Sequence, residues 1–128
     1  MFGEVDIRRF LPKYKNAEVA VERYVNSALN FFDGLDIMFM QPIPQTVDPL
    51  THEFRNNAAI WYTFEHRMAQ QENFYKALNT YDQKVIDTVS LLGTDHLRSE
   101  HTDDGCHLRR SLSIELGRSM YNAVDWNI

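Results

Sequence analysis

The chain has 128 residues, a formal net charge of −5, a single cysteine and an apolar fraction of 44%. That length suggests one domain with a modest core, and a lone cysteine closes no internal disulfide. The acid is spread evenly with no basic cluster, which argues against gripping a nucleic-acid backbone as the main task, because that draws on several Lys or Arg contacts. No apolar run approaches the roughly 20 residues that span a bilayer. The opening Met1–Phe10, with Glu4 and Asp6, does not read as a signal peptide, so a soluble protein is expected.

Taken in order, Asp6 to Leu11 forms a candidate short helix ended by Pro12, and Lys13 to Lys15 is a basic connector. Asn16 is the next N-cap candidate. The helix behind it is expected from Ala17 to about Asp33, with Val21, Tyr24, Val25, Ala28, Leu29 and Phe32 on a broad apolar face and Gly34 as its stop. Leu35 to Asp48 carries Pro42 and Pro44, two residues apart, which exclude a regular helix and favour an extended crossover. Its apolar residues either cover the core or meet a neighbouring subunit.

Asp48 to Leu92 organises the chain. Asp48-Pro49 is a helix start, and Leu50, Phe54, Ala58, Trp61, Phe64 and Met68 recur at helical spacing. The polar run Gln70 to Asn73 interrupts this stripe. Phe74, Leu78, Tyr81, Val85, Val89 and Leu92 resume it, and Gly93 closes it. Two helices are expected, Pro49 to about Ala69 and about Glu72 to Leu92, with a single bent helix as the alternative. Val21, Leu29, Phe54, Trp61, Leu78 and Val85 are the expected core.

Thr94 to His107 is polar and reads as an exposed loop or linker. His101, Asp103, Cys106 and His107 match no strong zinc spacing, so no metal is expected there. From Leu108 onward the pattern is ambiguous: Leu112, Ile114 and Leu116 alternate as in a strand, while Leu108, Leu112 and Leu116 suit a helix that Gly117 interrupts. Together with Met120, Tyr121, Val124, Trp126 and Ile128, they form an apolar tail that must fold back on the core or dock on another chain. The fold expected is all-α: a bundle of about four helices over residues 1–93 with a Pro-containing crossover, then a polar linker and an extended C-terminal tail over 94–128.

Chemistry is hard to find. No glutamate has a histidine three residues later, as a di-metal carboxylate bundle requires, and there is no phosphate loop, His-Glu-x-x-His or Gly-x-Ser-x-Gly. No catalytic residue, metal site or cofactor is expected.

The order of these parts resembles the head–tail connector (adaptor) proteins of tailed bacteriophages. The resemblance is carried by the helix Ala17 to Phe32, the Pro-containing crossover, the small and apolar run Asn57 to Arg67 with its aromatic pair Trp61-Tyr62, and the spaced aromatics Phe74, Tyr75 and Tyr81. It implies a structural virion protein at the neck that joins the portal to tail or nozzle proteins. Copies of the chain would form a ring, usually twelvefold, through which DNA passes without specific binding. Leu112, Ile114, Leu116, Met120, Tyr121 and Trp126 would be the portal-binding anchors, on a tail that is loosely packed until assembly. The rival expectation is a small helical regulatory module that holds a partner through an aromatic face.

Overall fold

The computed structural model describes Ile7 and residues 16–47, 63–105 and 107–124. Helix α1 spans Ala17–Phe31, with the Asn16 side chain accepting from the Val19 N–H at 2.9 Å. This is the expected cap and start. Past the helix, Gly34 has φ +80°, which a side chain would strain, and the chain reverses there with Leu35 N–H donating to Phe32 O at 3.0 Å. Strand β1, Phe39–Met40, opens an extended segment that continues to Val47.

Helix α2 spans Phe64–Leu78 and is capped by Thr63, whose hydroxyl accepts from the His66 N–H at 3.2 Å. Two expectations are corrected here. The helix runs unbroken through Gln70–Asn73, and it stops at Leu78, well short of Leu92. Beyond it come strand β2, Val85–Ile86, helix α3, Thr88–Leu92, and helix α4, Arg110–Ala123. Asp87 caps α3 through the Ser90 N–H at 3.0 Å, and Gly93 closes it in the left-handed conformation at φ +72°, as its position suggested.

β1 and β2 pair in parallel, Phe39 with Val85 and Met40 with Ile86. The fold is therefore mostly helical but not all-α. The reason lies in the crossover. Gln41 to Thr46 are all buried, so this stretch runs through the interior and its backbone must find partners there. Part of this backbone turns toward β2 and the loop after α3. Phe39 N–H donates to Lys84 O, Gln41 N–H to Ile86 O and Val47 N–H to Leu97 O, while Gln45 O accepts from Leu97 N–H.

Pro42 and Pro44 have no N–H to satisfy. Other groups of the stretch, Gln45 N–H and Val47 O among them, are met by side chains from successive turns of α2. Tyr75 donates to Pro42 O at 2.6 Å, and Arg67 donates to Thr46 O at 2.7 Å and to Val47 O at 3.3 Å. Gln71 accepts from the Gln45 N–H at 2.7 Å and donates to Asp95 O at 2.7 Å. From the far side, Thr88 donates its hydroxyl to Pro42 O, and Gln41 accepts from the Thr88 N–H with its side chain.

The apolar core lies at the other end of α2. Phe74 and Leu78 pack with Val21 and Val25 of α1, Phe39 of β1 and Ile7. Of the expected core, Val21 and Leu78 are buried, whereas Leu29 and Val85 are half-buried against the cluster. Phe54 and Trp61 lie outside the described residues, as does the expected helix start at Pro49. Thr94–His107, read as an exposed linker, is stitched to the interior: Leu97 and Thr102 are buried, and Leu97 bridges in parallel to Thr46.

Replacing Gln71 with Leu strands the Gln45 N–H and the Asp95 carbonyl. The Gln45 N–H is buried and its loss of a partner costs about 1–3 kcal/mol, while the part-buried Asp95 carbonyl can turn to water, so urea unfolding of Gln71→Leu should show a loss of roughly 1–3 kcal/mol. Burial pushes the Tyr75 phenol well above its ordinary value, against a smaller opposing effect of the hydrogen bond with Thr88. The folded state thus holds this proton more tightly than the unfolded chain. Its contribution is complete below about pH 10, the ordinary phenol value, and is lost as pH rises beyond it. Tyr75→Phe should flatten that part of the alkaline stability curve.

Candidate interaction surface

Helix α4 settles the ambiguity of the tail between Arg110 and Ala123: this stretch is helical, and Gly117 sits inside it. Arg109 precedes the helix without a side-chain cap, but its backbone N–H donates to His101 O at 2.8 Å, and its guanidinium holds Ser99 O at 3.0 Å and Asp103 at 2.9 Å. The ordered loop thereby fixes where the helix starts. α4 packs against α3, and Lys84 donates its ammonium to Ala123 O at the far end, a cation at the negative pole of the helix.

The tail residues read as partner anchors do not share one face. Leu116 is buried, and Leu112 and Met120 are half-buried, so these three turn inward at helical spacing. Ile114 and Tyr121, two turns apart, face solvent with 47% and 63% of their surface exposed. Trp126 lies outside the described residues.

Between α4 and the extended segment is a cleft of about 260 Å³, lined mainly by Met40, Ile43, Leu108, Leu116, Gly117 and Met120, with His107 and Ser113 at its polar margin. β1 alternation explains its position. Phe39 points into the core, with its ring 5.8 Å from that of Tyr24 on α1, whereas Met40 points the other way, into the cleft. A side chain added at Gly117 would meet nothing within 4 Å. Exposed Arg110 and Arg118 lie on the same helix.

A second apolar feature is exposed elsewhere on the surface. The end of α1 and its turn expose Phe31 by 81%, Leu35 by 67% and Phe32 by 46%. The two rings stack edge to face at 4.8 Å, and exposed Asp33 and Asp36 flank them. Among the described residues, Asp33, Asp36, Arg110 and Arg118 make no ion pair. Sequence reading placed Phe32 on the buried face and overlooked this knob. The signal was present: adjacent residues of a helix point about 100° apart, so Phe31 and Phe32 cannot both turn inward.

Among the described residues, chemical machinery is sparse. Asp95 and His96 meet at 2.6 Å, as do Asp104 and His107, and His101 accepts from the Arg98 N–H through its ring nitrogen. These bonds are local and shape the loop. Among the described residues no three His, Cys, Asp or Glu side chains converge as metal ligands; Cys106 is not among those residues. No helix among them is long and apolar enough to cross a membrane. Compared with protein-family models, curated proteins and solved structures, the chain matches none.

Gly117 costs α4 helix stability without a steric reason for its presence. Gly117→Ala should raise stability by about 0.5–1 kcal/mol in thermal or urea unfolding. Zinc titrated into the protein in a calorimeter should give no stoichiometric binding, and His101→Ala should leave that trace unchanged.

Proposed function

We propose that this chain is a non-enzymatic structural protein that works by holding protein partners, and that its form is that of a head–tail connector subunit at the neck of a tailed virion. The observation that carries the reading is the solvent-facing apolar surface on α4. Ile114 and Tyr121 stand in water although the helix has an inward stripe for such residues. Large exposed apolar side chains grouped on one element mark interaction surfaces more often than they mark catalytic ones.

In this reading the outer face of α4 meets the portal, Ile114 and Tyr121 are its contacts, and Leu112, Leu116 and Met120 hold the helix to its own subunit. Copies of the chain surround the DNA passage in a ring, usually twelvefold, and tail or nozzle proteins take the other side. The evenly acidic composition is compatible with a channel that lets DNA slide. No cofactor takes part. The rival reading is a small regulatory module, which exposed aromatic residues such as Phe31 and Tyr121 equally favour. Assembly separates the two.

Native mass measurement of the full chain, alone and mixed with the portal protein of the same genome, tests the connector. A ring, or assembly triggered by the portal, is expected. A stable monomer or dimer that ignores the portal overturns the connector and leaves the module. Ile114→Asp combined with Tyr121→Asp should abolish portal capture while the melting temperature changes little, because both side chains are exposed.

A further inference from the structure

We infer that the outer face of α4 recognises an acidic protein segment, one that presents apolar side chains between carboxylates. This rests on the reading of that face as the partner contact and names the chemistry of what it holds. At helical pitch, Arg110, Ile114, Arg118 and Tyr121 fall within about 80° of one another around the axis. All four are exposed, and neither arginine makes an ion pair among the described residues. The inward residues Leu112, Leu116 and Met120 lie on the opposite side. The one acid of the helix, Glu115, falls about 60° beyond Arg118, outside the arc. A chain of net charge −5 thus carries a local face with two cations, two large apolar side chains and no carboxylate.

Each part of this face selects its occupant. Arginine can meet a carboxylate with two parallel N–H donors, and Arg and Tyr are enriched among the residues that anchor interfaces. Arg110 and Arg118 stand eight residues apart, about 12 Å along the axis, a span that one partner segment can answer with two carboxylates. Ile114 lies between the arginines and Tyr121 just past the second, so the segment must also bring apolar groups. Gly117 falls between Ile114 and Tyr121, and nothing stands within 4 Å of a Cβ there. A partner side chain can therefore approach the helix backbone at that point. The helix is held at both ends before any partner arrives, by Arg109 on His101 O and Ser99 O and by Lys84 on Ala123 O, so docking demands little ordering. A nucleic-acid backbone fits less well. Its grip draws on several cations, and phosphates give Ile114 and Tyr121 nothing to pack on.

The test uses the full chain and fluorescence anisotropy with two labelled synthetic amphipathic helices. Both carry the same leucine stripe, flanked by Glu in one and by Lys in the other. The overall charge of the chain favours the Lys peptide, so a preference for the Glu peptide reports a local positive surface. Wild type should bind the Glu peptide at least about tenfold more tightly. Arg110→Glu with Arg118→Glu should reverse the order, and Arg110→Gln with Arg118→Gln should remove the preference. Melting temperatures should change little, because both side chains are exposed.

A wild type that prefers the Lys peptide, binds both alike or binds neither overturns the inference. A preference that survives charge reversal also overturns it and places the contact elsewhere. So does a short DNA duplex that binds wild type more tightly than the Glu peptide does and is lost on charge reversal. Portal capture separates this inference from the connector reading. A portal that binds wild type and the charge-reversed variant equally keeps the connector and overturns the acidic contact. A chain that takes the Glu peptide but ignores the portal overturns the connector and leaves the acidic contact standing.

Discussion

An extended strand in the middle of a protein brings its backbone with it, and every N–H and C=O that leaves water needs another partner. The stretch Gln41–Thr46 imposes that requirement here. It has β2 on one side for only two residues, then a bridge to Leu97, so main-chain pairing alone cannot serve it. The shortfall is met by Arg67, Gln71 and Tyr75, which project from one face of α2 on consecutive turns and act as a third strand made of side chains. This fixes the rotation of α2 about its axis. Once its polar half is turned to the strand, its apolar half, Phe74 and Leu78, is turned to α1. The same contacts reach outward. Gln41 caps the first turn of α3 through Thr88, and Gln71 holds Asp95 at the start of the loop that leads to α4. The position of each later element follows from satisfying one buried segment.

The two exposed apolar features are products of that arrangement. β1 contributes Phe39 to the core and leaves Met40 facing the other way, so the underside of the strand becomes the floor of a cleft once α4 is laid beside it. α1 is closed by a glycine turn immediately after two adjacent aromatic residues, only one of which any core could have received. Neither feature contains polar groups poised for a reaction. Among the described residues, Arg67 and Gln71 serve the strand, and Asp95, His96, Asp104 and His107 shape the loop. Exposed apolar surface of this kind is what supports the proposal of assembly.

What was legible in the chain was whatever depended on neighbours in sequence. Asn16, Gly34 and Gly93 announced helix ends by backbone chemistry that needs no tertiary partner, and α1 was readable because its apolar face and its buried face nearly coincide. Helix α2 was misread because two of its buried residues are polar. Gln71 looked like the end of a stripe, yet it is the inward residue; its reason for being buried lies 26 residues away at Gln45. β2 is two residues long and carries no periodicity of its own. The strand it joins was recognised as non-helical from Pro42 and Pro44, but nothing local reveals that a segment excluded from helices will be buried and not draped over the surface. The tail presented a similar problem. Strand and helix patterns both fit, and what decides is the seat that α3 and the loop provide. The aromatic pair Phe31-Phe32 was the one interaction feature open to local geometry.

The partners of the crossover are also late in the chain. Gln41 meets Thr88 across 47 positions, and Thr46 meets Leu97 across 51. During synthesis the extended segment therefore leaves the ribosome long before anything exists to pair with it, carrying Phe39, Ile43 and an unpaired edge. Closing such long loops carries an entropic cost before any contact compensates, which slows folding and lengthens the period of vulnerability to aggregation. Pro42 and Pro44 bear on this interval as well. A strand edge that lacks alternate donors is a poor template for another nascent chain, so the residues that lower the number of buried backbone groups in the finished protein also guard the unfinished one against pairing with its neighbours.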